Sequence, residues 1–381
     1  MLWLAYMIVI SYLKAAFNEN SDVKYYIQLV LMLLILGYQL VYVVNKVDLR
    51  YCKINAVWIY IIFSGLQYLL IRSGLEKVIL LWALIINLLI YGKYPFKRGE
   101  LKALYIVFTA ATLLKIINGT TVENMADNSR FNPNECAVTL TVLFCISIAM
   151  AAKYKKMIYL FVAAASIALQ FIFTSRGAMM GCILFFLLFV VFRPWKKDCK
   201  SSTAFWIVLI LSVCGILVAY IYADVLFEKI GYGNVEIFGK DLFTGRQVIW
   251  ELTFDSIRDN FWLGVGNDLN AEFAAIRNNS VYTSAHNQAL GVLAAFGIFH
   301  FILFYLLFSK IVSTVGAVKI NGHKRIARAP LIFICVITLM NYFEILFFSQ
   351  WAIPLVIAGY GFLCNCDFNI YKKRKAAVSK T

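Results

Sequence analysis

Binding an anion and moving a proton need few residue types, and this chain offers them at four places: Arg130, Arg176, Arg246 and His286. Arg246 follows Thr244 and Gly245, which read as a helix cap, so it falls in the first turn of a helix. A cation there opposes the helix dipole, so Arg246 is either a surface arginine or the partner of an anion. His286 and Asn287 open an apolar helix, where free N–H groups and the positive dipole end favour negative charge. An imidazole with an ordinary pKa of about 6.5 is base or cation near neutral pH, though an interfacial histidine is also a common structural residue. Arg176 stands in TSRGAMMGC, beside a Gly177/Gly181 pair suited to helix packing, and reads as an interfacial anchor or a functional cation. Asn132, Pro133 and Glu135 make a helix-capping arrangement that accounts for those residues and leaves Arg130 unexplained.

Other residues carry competing readings. Trp250, Phe254, Ile257 and Phe261 form one apolar stripe of a helix that lies on the membrane interface or on the tops of the spans. Trp250, Phe261, Trp262 and Tyr282 are packing residues or sugar-stacking aromatics. Glu344, in NYFEILFF, has a cationic partner and a raised pKa, or is a solvated turn residue. Gly264-Val265-Gly266 reads as a tight turn, since a lone GxG without a preceding strand is no nucleotide site. Gly291, Ala294, Ala295 and Gly297 let a neighbouring helix approach closely, and His300 reads as a packed, neutral residue. The nine Cys contain no CxxC pair and read as small packing residues, with no disulfide framework and no zinc site.

The elements that hold these residues are membrane spans. The chain has 381 residues, 62% hydrophobic and 15% charged, and its repeated apolar runs are of membrane-spanning length. They are apolar all round, which excludes a small β-barrel. Twelve spans are expected near 2–17, 25–44, 54–71, 76–92, 101–117, 133–152, 157–174, 176–193, 203–223, 286–308, 328–346 and 350–366. The first reads as a retained span, because no basic region or cleavage site accompanies it.

With the N-terminus inside, 24 of the 36 Lys and Arg fall in inner loops, against only Asp48, Glu100, Asp198 and Asp367 of the 20 acids. This is the positive-inside pattern, so the net charge of +16 sets topology and implies no nucleic-acid partner. The same frame puts 224–285 outside as the large polar loop, and 309–327 inside as a basic loop with no expected element. Four parts follow: 1–223, about nine helices; the loop 224–285 with its amphipathic helix; 286–368, about three helices; and a basic cytoplasmic tail, 369–381. Lys14 and Lys115 lie near span ends and snorkel. No acid falls at an expected midplane, which speaks against an ion-coupled transporter.

Together these features resemble the O-antigen polymerase and O-antigen ligase superfamily of bacterial surface polysaccharide enzymes. The residues that carry the resemblance are Ser175-Arg176-Gly177 opening a span, Arg246 with Trp250 four residues on, and His286-Asn287 followed after nine residues by Gly297. His300 stands where the ligase signature has Gly, Thr or Tyr, and Arg130 to Glu135, reading RFNPNE, looks more like the polymerase branch. The resemblance implies an all-α, polytopic membrane bundle of about twelve helices, GT-C-like, with one large extracytoplasmic loop. It implies an inverting, metal-independent glycosyl transfer without cofactor, from a glycan on polyprenyl diphosphate, at the outer face of the bacterial inner membrane. Carried onto this chain, Arg176 and Arg246 bind the diphosphate, and His286 is base or acceptor-orienting residue. Arg130, Asn287, Trp250 and Glu344 are the remaining substrate-binding candidates. Guanidinium forks match phosphate oxygens, and a diphosphate gains charge as it leaves.

The expected function is a repeat-unit polymerase extending lipid-linked O-antigen or capsule glycan, with a chain-length regulator as a possible partner. The alternatives are the ligase that moves a finished glycan to a lipid core and, in a different class, a flippase or other transporter of lipid-linked glycan.

Overall fold

The computed structural model describes residues 22–46, 54–71, 75–91, 98–119, 133–173, 175–192, 198–222, 236–237, 240–241, 246–266, 285–314, 317–320, 323–349 and 352–378. The expected first span and Arg130 lie outside these residues, as does most of the loop 224–285.

Each of the eleven other expected spans contains a helix. They are α1 (Asp22–Lys46), α2 (Ile54–Ile71), α3 (Leu75–Tyr91), α4 (Arg98–Gly119), α5 (Pro133–Tyr154), α6 (Met157–Phe173), α7 (Arg176–Phe192) and α8 (Ser201–Tyr220), and then α10 (Gln288–Thr314), α11 (Arg328–Met340) and α12 (Ala352–Val378). The remaining helix, α9 (Arg246–Asp259), belongs to the polar loop. By length and composition, three described segments suffice to cross a membrane: Asn134–Tyr154, Ser201–Tyr220 and Gln288–Thr314. The other apolar helices are shorter in their hydrophobic part.

Burial sorts the helices into layers. α3, α5, α10, α11 and the described part of α12 bury nearly every side chain and form the centre. α1, α2, α6, α7 and α8 leave Leu34, Leu66, Leu70, Phe161, Val191 and Ile210 exposed, which suits contact with lipid chains rather than water. Lipid removes the hydrophobic drive between helices, so polar clasps do part of the joining. Gln39 and Asn87 exchange two amide hydrogen bonds between α1 and α3, at 2.7 and 2.9 Å. Tyr105 and Ser147 join α4 to α5 at 2.9 Å, and Gln170 of α6 donates to Thr141 of α5 at 3.0 Å. Lys115 does not simply snorkel: its ammonium pairs with Glu135 at 3.3 Å, both side chains being largely covered.

Four features depart from the expected bundle. The fold is mostly helical but not all-α. The basic loop 309–327 contributes β4 (Val318–Ile320) and β5 (His323–Ala327) to a small antiparallel sheet, in which β5 pairs with β4 and with β1 (Asp198–Lys200). Lys200 opposes Arg325, and Cys199 opposes the buried Ile326. A short ladder of β2 (Glu236–Ile237) and β3 (Lys240–Asp241) lies in the polar loop. The expected span 328–346 is instead the 13-residue α11 followed by a folded turn over 341–349. The physical reason is a set of side-chain acceptors that replace helical ones: Asn341 Oδ1 takes the Leu346 N–H at 3.0 Å, and Gln288 Oε1 takes the Phe347 N–H at 2.8 Å. Finally, α12 continues as helix through most of the expected basic tail, to Val378.

The fourth departure positions the site most directly. α10 is broken at Gly297, whose φ of 73° lies in the left-handed region. The carbonyls left open by the break are taken up by the turn that follows α9. Val265 N–H donates to Ala294 O at 2.9 Å, and Gly266 N–H to Ala295 O at 3.0 Å. In return, Phe261 O accepts from Ile298 N–H at 2.9 Å. The small residues Ala294, Ala295 and Gly297 therefore admit a returning loop where a neighbouring helix was expected. The Gly264-Val265-Gly266 turn is the piece that docks there, with both glycines at positive φ.

Gln67 of α2 closes the break from the other side. Its amide nitrogen donates to the carbonyls of Phe296 and of Leu263, the latter at 3.0 Å. Its Oε1 then faces His300 Nδ1 at 2.8 Å, and Tyr60 O–H meets His300 Nε2 at 3.0 Å. Because the Gln67 oxygen can only accept, Nδ1 carries the proton and Nε2 accepts from Tyr60. The geometry therefore gives His300 the packed, neutral place expected of it.

Candidate functional site

The site lies at the end of the bundle that carries α9. α9 buries Ile249, Trp250, Thr253, Ser256 and Ile257 against α10 and α8. This face is rotated from the expected stripe: Phe254 is half-buried, and Phe261, beyond the helix end, is 40% exposed. The break in α10 claims the Phe261 carbonyl and turns its ring outward beside Trp262.

Trp250 is fully buried and offers no face to a sugar. Its indole N–H donates to Ala285 O at 2.8 Å, and its ring meets Tyr222 edge-on at 5.8 Å. Asn287 is likewise enclosed. Its Oδ1 accepts the Leu290 N–H at 3.1 Å, capping α10, while its Nδ2 donates to Gly215 O at 2.9 Å and Tyr342 O at 3.2 Å. Both residues were expected to bind substrate; here their polar atoms are engaged inside the protein and hold the backbone on either side of His286.

His286, between those two anchors, has a φ of 45°, which a residue with a side chain adopts at a cost of about 1–3 kcal/mol. Such local strain persists where the surroundings over-determine it, as the Trp250 and Asn287 contacts do here. Burial, followed by the nearby charge of Arg246, pulls the His286 imidazole down to about 4, so it is neutral at neutral pH.

Arg246 opens α9 and reaches the turn after α11. Its Nη2 lies 3.4 Å from Glu344 Oε1, and its guanidinium stands 6.0 Å from the centre of the Phe343 ring. Burial lowers its pKa, the Glu344 carboxylate raises it, and the charge of Arg176 lowers it again. A guanidinium stays protonated throughout. Burial pushes the Glu344 carboxyl up from the ordinary carboxylate value, and Arg246 pulls it back. Arg176, first residue of α7, is therefore close enough for its charge to act on Arg246. Beside it, an added Cβ at Gly177 would meet open space, while Gly181 is packed against Met340 and Thr141. Only the second glycine of the pair serves helix packing.

Four candidates scattered over 169 positions thus converge: Arg176, Arg246, His286 and Glu344. Arg246 carries the Glu344 carboxylate and feels the charge of Arg176, and guanidinium groups gathered where covering is partial suit an anion. Sequence reading missed several supporting residues. Lys77 places its ammonium 5.7 Å from the centre of Phe348, in the same turn as Glu344. Gln288 and Asn341 build that turn, and the amide nitrogen of each is buried without a hydrogen-bond partner. The adjacency of Gln288 to His286-Asn287 was a signal available in the sequence; nothing local marks Asn341 or Lys77. Among the described residues, no group of three or more His, Cys, Asp and Glu is placed to hold a metal ion.

Residues 160–305 match the O-antigen ligase family, a segment that contains Arg176, Arg246, Trp250, His286 and Gly297. The match supports the superfamily to which the motifs pointed. No curated protein matches the chain.

Proposed function

We propose that this membrane protein, a member of the O-antigen polymerase and ligase superfamily on the support of its segment 160–305, is a repeat-unit polymerase of surface polysaccharide. The observation that carries the reading is the meeting of Arg176, Arg246 and His286, all within the matched segment. The chain takes a glycan on polyprenyl diphosphate as donor and the sugar hydroxyl of a lipid-linked repeat unit as acceptor. Both termini are cytoplasmic, and the α9 end of the bundle faces outward from the bacterial inner membrane.

Transfer inverts the anomeric centre. The acceptor oxygen bonds to the anomeric carbon from the face opposite the diphosphate, and the electron pair of the breaking carbon–oxygen bond goes to the diphosphate. Arg176 and Arg246 bind that group and stabilise the charge it gains, in a partly desolvated place where such contacts are strong. His286, neutral and fixed by its neighbours, orients the acceptor hydroxyl or takes its proton.

The ligase reading stands second, favoured by the description of the matched family. RFNPNE and His300 favour the polymerase. The test is the purified chain with labelled lipid-linked repeat unit. A ladder of longer lipid-linked glycans with release of polyprenyl diphosphate is expected. Transfer only to a lipid core would make it a ligase. Movement of the lipid across vesicles without diphosphate release would end the enzyme reading.

A further inference from the structure

Glu344 lies beyond the matched segment, in the turn over 341–349, and its acid group has no part in the transfer as described. We infer that Glu344 accepts the proton of the acceptor hydroxyl, and that Arg246 holds its carboxylate until the donor diphosphate takes the guanidinium. The inference rests on the glycosyltransferase reading.

The geometry has three parts. The first is the ion pair itself, at 3.4 Å, which places a carboxylate against a proposed diphosphate binder. A diphosphate competes for the same guanidinium with more charge and more oxygens, so its arrival exchanges the partner and leaves the carboxylate beside the bound donor. The second is the mounting of the turn. Gln288 N–H donates to Asn341 O at 2.8 Å, and the side chains of Asn341 and Gln288 accept from Leu346 and Phe347. Glu344 thereby sits on a turn bonded to the start of α10, two residues after His286. The third is the surrounding charge. Arg246 faces Glu344 from α9, His286 stands at the start of α10, Lys77 of α3 lies over Phe348, and Arg176 of α7 acts on Arg246. No other charged residue occurs between Asn341 and Ser349.

A divided role follows. Burial holds the imidazole down to about 4 and raises the carboxyl above its ordinary value, and the turn of Arg246 to the diphosphate withdraws the charge that steadies the carboxylate. The hydroxyl proton passes to Glu344, the acceptor oxygen bonds to the anomeric carbon, and the bond to the diphosphate breaks with its electron pair on the leaving group. Glu344 then gives the proton to water, and the ion pair re-forms as polyprenyl diphosphate departs.

The test compares the full-length wild type with Glu344→Gln and Glu344→Asp, measuring glycan transfer and binding of polyprenyl diphosphate. Glu344→Gln keeps shape and hydrogen bonding but cannot take a proton, so kcat falls roughly 100- to 10,000-fold. With Arg246 released, the same variant binds polyprenyl diphosphate more tightly than wild type, a gain that also proves the site folded. Glu344→Asp recovers part of kcat. Wild-type kcat in Glu344→Gln overturns the proton-acceptor role, and unchanged or weaker diphosphate binding overturns the exchange. A wild-type chain that releases no diphosphate from the lipid-linked donor removes the parent reading, and this inference with it.

Discussion

Trp250 and Ala285 are 35 positions apart, yet the indole N–H of one donates to the carbonyl of the other at 2.8 Å. This bond ties the helix that begins with Arg246 to the residue preceding His286. The two proposed working groups therefore share one support, and a change in the support is felt at both.

Replacing Trp250 with Phe keeps most of the packing and removes the donor. The Ala285 carbonyl is then buried without that partner, at a cost of about 1–3 kcal/mol. Transfer is expected to fall while the fold survives. Thermal unfolding in detergent and the rate of glycan transfer, measured together, check this; full activity in Trp250→Phe would show that the bond does not position His286.

Arg246→Ala removes the proposed phosphate contact and the cation that pairs with Glu344. Loss of a single preorganised contact to a leaving group lowers kcat by roughly 100- to 1,000-fold. Arg246→Lys restores the charge but not the fork, and is expected to recover only part of the rate. Equal activity in all three proteins would remove Arg246 from the diphosphate site.

Gly297→Ala should be among the most damaging small substitutions in the chain. The position needs positive φ, and a Cβ there would collide with the carbonyl of Trp262. Gly177→Ala is its control, since the new methyl group meets open space. A loss of several °C in melting temperature is expected for the first, on the order of the 2–4 °C per kcal/mol found for chains of a few hundred residues, and little change for the second. Matched melting curves would contradict the break in α10.

His286 makes the fold acid-sensitive in a defined direction. Its folded pKa, about 4, lies below the unfolded value of about 6.5. Between these values the unfolded chain binds more protons, so stability falls as pH drops through that window and is unaffected by this group above it. The raised carboxyl of Glu344 acts in the opposite sense. The comparison is therefore between wild type and His286→Gln: the variant is expected to lose less stability from pH 6.5 to 4, and parallel unfolding profiles would exclude a depressed imidazole.

Much of the helical framework is legible in the chain because lipid imposes a simple condition. Every backbone polar group must be satisfied within its own segment, so apolar runs of the right length become helices. The expected boundaries near Ile54, Met157 and Arg176 coincide with helix starts for that reason. The condition fails where side chains replace the backbone as partners. Asn341 and Gln288 end α11 early, and Gln67 with the Gly264–Gly266 turn sustains the break at Gly297. These bonds join residues far apart in the chain, which no local periodicity records.

The residue types at the site divide the same way. Composition and spacing by themselves identified Arg176, Arg246 and His286 as candidate anion-binding and proton-handling groups, because charged or titratable side chains are rare in so apolar a chain and conspicuous where they occur. Only tertiary structure separated the groups that face one another from those that support them. Trp250 and Asn287 have the chemistry of ligands, but burial and satisfied hydrogen bonds hold them as anchors in this structure, while Glu344, for which the sequence left a cationic partner and a solvated turn equally open, is brought onto Arg246. Whether a polar atom meets substrate depends on what else already occupies its hydrogen bonds, and that is decided by the packing of distant segments rather than by the residue's own neighbours in sequence.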